Sequence, residues 1–66
     1  MSITLINKKD VKEIEYEENL TVEDILKKED IPIETVVVKI NDQTVTEDEK
    51  VNDNDKMEII KVIYGG

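Results

Sequence analysis

Polar and apolar residues alternate along Ser2-Ile3-Thr4-Leu5-Ile6 with the two-residue period of a strand that buries one face. Asn7-Lys8-Lys9-Asp10 supplies turn chemistry, and Val11-Lys12-Glu13-Ile14-Glu15-Tyr16 alternates again, with Ile14 and Tyr16 on a common face. Two strands around so short a turn predict an antiparallel hairpin. The period then changes. Thr21 stands as a helix N-cap with Asp24 three residues on, an acidic variant of the capping box, and Leu20 and Ile25 have the spacing of a hydrophobic staple. Val22, Ile25 and Leu26 form one apolar stripe, while Lys27 and Lys28 fall where the helix dipole favours cations. A helix is predicted from about Val22 to Glu29, stopped by Pro32, which biases Ile31 towards extended geometry.

Thr35-Val36-Val37-Val38-Lys39-Ile40 is β-branched and strand-like, with Val36, Val38 and Ile40 sharing a face. Asn41-Asp42 turns the chain into Thr44-Val45-Thr46. Residues 46–52 are polar and irregular, with Val51 as their buried anchor. Asp53-Asn54-Asp55 reads as a turn in which Asn54 takes the left-handed conformation. The last predicted strand, Met57 to Ile63, is apolar on both sides of its alternation at Ile59, Ile60 and Val62, as suits a central strand. The order predicts an α+β fold: a four- to five-stranded mixed sheet covered on one face by one helix, since nothing else remains to bury it. The opposite face is left open. Val37, Ile60 and Val62 either form an apolar docking patch there or pack as ordinary core beneath residues 42–56.

Composition narrows the function. A chain of 66 residues without linker or repeat makes one domain with a small core. Absence of cysteine excludes disulfides and thiolate metal sites, and absence of histidine removes the usual nucleophile–base pairs and the common zinc ligands. Catalysis by the chain itself is not expected. Seventeen acids against nine lysines give a net charge of −8, which repels nucleic-acid phosphates and anionic membranes. That balance suits docking on a basic partner, or plain solubility. No apolar run reaches membrane-spanning length and the N-terminus lacks a signal pattern, so a cytoplasmic location is expected. Asp53, Asp55 and Glu58 hint at a calcium loop, but Met57 occupies a position that needs an oxygen ligand and the loop glycine is missing, so no metal is expected. Glu13, Glu15, Glu17 and Glu18 read as a solvated polar side, and no lysine is marked out as an isopeptide acceptor.

Both glycines of the chain stand in Tyr64-Gly65-Gly66, directly after the last apolar run. A side-chain-free ending on a strand-like stem is what a carrier needs if another enzyme must seize its last carboxylate; the alternative is a frayed, inert tail. An ionised carboxylate is a poor electrophile and must first be activated. Tyr64 either docks its ring at the mouth of the activating pocket or folds back onto the sheet edge.

The element order, Val37-Val38-Lys39-Ile40-Asn41 before a turn, Asn54-Asp55-Lys56-Met57-Glu58-Ile59 leading into the last strand, and Val62-Ile63-Tyr64-Gly65-Gly66 resemble the ubiquitin-like sulfur carriers, the ThiS/MoaD group. The resemblance covers the whole chain. Asn54 and Asp42 stand where that family often has glycine, and both are compatible with turns. The ending lacks the proline-rich lead-in of typical molybdopterin-synthase small subunits and is more similar to the thiamine-pathway carrier. The resemblance implies a β-grasp domain over residues 1–66, monomeric alone, with a flexible tail at 64–66, no catalytic residue and no bound cofactor. It further implies that a ubiquitin-activating-enzyme-like adenylyltransferase uses ATP and Mg2+ to adenylate the Gly66 carboxylate, with Gly65 and Tyr64 threading its cleft. A sulfur donor then converts the adenylate to a thiocarboxylate, consumed by a downstream thiazole synthase or another sulfur acceptor. A molybdopterin-synthase small subunit and a protein modifier conjugated through Gly66 are the alternatives within that chemistry. A β-grasp binding module without terminal chemistry is the alternative outside it.

Overall fold

The N-terminal alternation becomes a hairpin in the computed structural model, which describes residues 1–62. Strands β1 (Ser2–Asn7) and β2 (Asp10–Glu15) pair antiparallel, from Ser2 opposite Glu15 to Asn7 opposite Asp10. The loop is therefore only Lys8-Lys9, tighter than the four-residue turn predicted. Of the two, Lys8 takes a positive φ of 58°, as the first loop position of a type II′ turn requires.

The helix α1 (Val22–Lys28) starts as its sequence prescribes. The Thr21 hydroxyl oxygen accepts from the Asp24 N–H at 3.2 Å, and the Asp24 carboxylate accepts from the Thr21 N–H at 3.1 Å. That backbone donor holds the Asp24 carboxyl below the usual carboxylate range. Leu20 and Ile25, on either side of the cap, are both buried. The helix ends within one residue of the predicted Glu29, but by a different device. It closes on Asp30, not on Pro32, and Glu29 serves as the cap residue. Asp30 has a φ of 59°, its N–H donates to the Lys27 carbonyl at 3.1 Å, and the Ile31 N–H donates to the Leu26 carbonyl at 2.9 Å. These are the paired closing bonds of a Schellman motif, with aspartate where glycine is usual. A Cβ in the left-handed region and a carboxylate at the negative end of the dipole both work against that position. Asp30→Gly is therefore expected to stabilise the fold by about 0.5–1 kcal/mol, read as a higher urea midpoint at an unchanged slope.

A single 3-10 turn, Ile33–Thr35, precedes β3 (Val36–Ile40) and delays it by one residue from the predicted start. The Thr35 hydroxyl donates to the Pro32 carbonyl at 2.9 Å, a local bond that draws Thr35 out of the β-branched run. Asn41 and Asp42 both have positive φ, 49° and 71°, the pattern of a type I′ two-residue loop. Ile40 thus faces Gln43, and β4 (Gln43–Val45) begins one residue earlier than predicted. Asn54 is left-handed as expected, with a φ of 70°. The Asp55 carboxylate in that turn accepts from the Asn52 N–H at 2.8 Å and from Asn41 Nδ2 at 3.0 Å. The final strand, β5 (Lys56–Lys61), follows; its predicted end at Ile63 lies outside the described residues.

The five strands lie in the order β2-β1-β5-β3-β4. The two-sided apolar strand β5 is central, parallel to β1 and antiparallel to β3. Sheet residues Ile3, Leu5, Val38, Ile40, Met57 and Ile59 pack against Val22, Ile25 and Leu26 of the helix, with Leu20 and Val51 closing the cluster. This is an α+β sheet with one helix on one face. The connection after β4 runs along the start of the helix: the Val22 and Glu23 N–H groups donate to the Glu49 and Glu47 carbonyls, both at 2.9 Å, and the Val51 N–H donates to the Leu20 carbonyl at 2.8 Å. It flanks the helix layer and leaves the other sheet face open.

Candidate docking face at the end of the last strand

Alternation along β5 sends Met57 and Ile59 into the core and Lys56, Glu58 and Ile60 to the open face. On β3 the same phase exposes Val37 and Lys39 beside them, Val37 opposite Ile60 and Lys39 opposite Glu58. The Val62 N–H donates to the Thr35 carbonyl at 2.9 Å, which carries the β5–β3 ladder one residue past the strand and brings Val62 into phase with Ile60. The two placements left open for Val37, Ile60 and Val62 are thereby resolved: they occupy the open face, and residues 42–56 do not cover it. Ile60 is 37% exposed, and Val37 and Val62 are half-buried.

Two further apolar side chains join this end of the face. Ile6 of β1 pairs with Val11 of β2, and Ile6 also stands beside Glu58 of β5. Val11 is 63% exposed, the most open of the large apolar side chains after Met1 among the described residues. Sequence reasoning missed both, although the signal was present. They are apolar residues in the polar phase of their strands, out of step with Leu5 and Ile14.

Charge is distributed unevenly along the strands. Glu15, Asp53 and Asp55 lie at the end where β1 and β5 begin, and Glu23, Asp24 and Glu49 lie around the start of the helix. At the end where β5 finishes, Lys8, Lys9 and Lys61 alternate with Asp10 and Asp30. Acidic groups thus outnumber Lys50 and Lys56 at the far end, whereas charge at the β5 exit is mixed. The Asp55 carboxylate accepts from the Asn52 N–H of its own turn and from Asn41 Nδ2 of the preceding one, while Glu58 stands on the open face. Among the described residues, no helix is long and apolar enough to cross a membrane. Tyr64, Gly65 and Gly66, the other residues singled out from the sequence, lie outside the described residues.

Comparison with known proteins places this geometry. The family model described as the ThiS family matches residues 4–66. Among solved structures, the chain is similar to SAMP1 from Haloferax volcanii, with a TM-score of 0.75, 13% identity and complete coverage of both chains. It is similar to the ubiquitin of Caldiarchaeum subterraneum, with a TM-score of 0.71, 22% identity, and coverage of 100% of this chain and 98% of that one. A ubiquitin-like protein from the hyperthermophilic archaea Caldiarchaeum subterraneum aligns with a TM-score of 0.65 at 21% identity, over 98% of this chain and 100% of that one. At these identities the likeness is one of fold, and the fold is the ubiquitin-like β-grasp.

Proposed function

This chain belongs to the ThiS family, and from that premise we propose that it carries sulfur as a thiocarboxylate on Gly66, most directly for thiazole formation in thiamine synthesis. The observation that carries the reading is that the family match runs through residue 66 and so takes in Gly65-Gly66. Small proteins of this family are carriers rather than catalysts, and the chemistry is assigned accordingly. A partner adenylyltransferase binds ATP and Mg2+; the Gly66 carboxylate oxygen attacks the α-phosphorus and pyrophosphate leaves. Hydrosulfide, or a donor equivalent to it, then attacks the acyl carbon. The carbon–oxygen bond to AMP breaks, AMP departs with the electron pair, and the proton goes to solvent.

The partner supplies the cationic groups that stabilise the phosphates. This chain supplies the end of β5. Four residues follow Val62, and fully extended they span at most about 14 Å. Any enzyme that holds the Gly66 carboxyl therefore comes within about 14 Å of Val62, next to Ile60 and Val37 on the same face, which supports assigning the open apolar face to the same partner.

Ile60→Lys is expected to raise the KM for the carrier in the adenylation step by about tenfold or more, with kcat and the unfolding midpoint little changed. ATP–pyrophosphate exchange by the host's adenylating enzyme measures it, and an unaltered KM would remove the face from the interface. The pathway is tested by complementation: a host lacking its thiamine-pathway carrier should regain growth without thiazole. Rescue of a molybdenum-cofactor defect alone would redirect the sulfur. A second reading, a protein modifier, uses the same adenylate but ends in attack by a target lysine amine with loss of AMP. The shared fold with a protein named as a ubiquitin supports keeping it. Its signature is a set of conjugates that disappears when Gly66 is removed.

A further inference from the structure

The helix face of the sheet is also open at the end where β5 finishes. With only seven residues, α1 stops before it covers the last part of β1 and β5 and the start of β3, and leaves a groove of about 460 Å³. Ile31, Val36 and Ile59 form its apolar floor, Lys8, Asp10 and Lys61 its strand-side rim, and Asp30 its helix-side rim. Thr35 lines the same groove, and its carbonyl accepts the Val62 N–H at 2.9 Å. The groove thus opens directly beside the last described residue, on the face opposite Val37, Ile60 and Val62.

We propose that this groove receives an apolar side chain of the adenylating enzyme, flanked by a carboxylate that reaches Lys8 and Lys61, so that the enzyme grips the end of β5 from both faces of the sheet. The inference rests on the carrier reading above. Its argument is the length of chain that follows: the four residues after Val62 cannot place the Gly66 carboxyl more than about 14 Å away. A protein that encloses that carboxyl meets both apolar surfaces at the exit, and at the groove it meets Lys8 and Lys61, set among Asp10 and Asp30, in a chain of net charge −8. A complementary carboxylate there selects the exit end over the acidic far end, which the open apolar face alone does not do.

The experiment compares two double charge reversals that alter net charge equally. Lys8→Glu with Lys61→Glu reverses the groove rim; Lys9→Glu with Lys50→Glu reverses two lysines that do not line it. Each is assayed by ATP–pyrophosphate exchange with the host's adenylating enzyme, with urea midpoints confirming that both variants fold. The rim pair is expected to raise the KM for the carrier by about tenfold or more with kcat within a factor of about two, and the control pair to leave KM within about twofold. Equal shifts in both pairs mean that bulk charge alone acts, and no shift in the rim pair means that the groove is not contacted; either overturns the proposal. Absence of exchange with the unaltered chain overturns the carrier reading itself, and this inference with it.

Discussion

Removal of Gly66 is expected to abolish adenylation while leaving the unfolding midpoint where it is. Truncation moves the reactive carboxyl to Gly65 and withdraws it by one residue, about 3.5 Å. A displacement of even 1 Å at a reacting centre can lower a rate by about a hundredfold, so the loss should exceed that. The scaffold is expected not to feel the change: among the described residues the buried cluster ends at Ile59, and Val62 makes the last backbone bond between β5 and its neighbour. ATP–pyrophosphate exchange and urea unfolding on the same sample check both halves. Exchange within about tenfold of the full chain would mean that the last carboxyl is not the reacting group.

Met57→Ala is expected to do the reverse. Met57 is fully buried in the central strand, with Leu5 beside it on the parallel side and Ile40 on the antiparallel side, beneath the helix stripe of Val22, Ile25 and Leu26. Truncating such a side chain costs about 2–5 kcal/mol, because both the transfer energy and the contacts lining the cavity are lost. Domains of this size sit near the low end of the about 5–15 kcal/mol that folded proteins possess, and no disulfide supplements the core. A large fall in the thermal and urea midpoints should follow, with adenylation falling in proportion to the folded fraction. An unchanged midpoint would contradict the assignment of Met57 to the centre of the core. Together the two variants separate a chemistry that resides in the last residue from a scaffold that presents it.

What could be read from the chain divides along physical lines. The start of the helix was legible because its determinants are local: Thr21 and Asp24 exchange side-chain and backbone bonds across three residues, and Leu20 and Ile25 close over them. The central place of β5 was legible because Ile59 and Ile60 are apolar on both faces of one strand. The position of the helix end was legible to within one residue, but its closing motif was not, since aspartate occupies a left-handed position that glycine would have announced. The turns at Lys8-Lys9 and Asn41-Asp42 were placed, but the left-handed conformations of Lys8, Asn41 and Asp42 were not, since both glycines stand in the closing residues and none marks a turn. The 3-10 turn at Ile33–Thr35 hid inside a β-branched run, because one hydroxyl–carbonyl bond outweighed the strand preference of Thr35.

The candidate site shows a similar division. Val37, Ile60 and Val62 could be grouped by phase alone, but whether they were covered depended on where residues 46–51 lie, a long-range matter decided by the Val22, Glu23 and Val51 backbone bonds. Ile6 and Val11 became part of the face only through the β1–β2 register. The groove beside Lys8 and Lys61 was invisible in the sequence, since it arises from a helix too short for the sheet beneath it.

The central claim is tested most directly by mass analysis of the C-terminal fragment after incubation with the host's adenylating enzyme, ATP, Mg2+ and hydrosulfide. The account predicts that one oxygen of the Gly66 carboxyl is replaced by sulfur, and only when ATP is present. A fragment of unchanged mass, from a reaction in which the same enzyme thiolates another carrier, would contradict it.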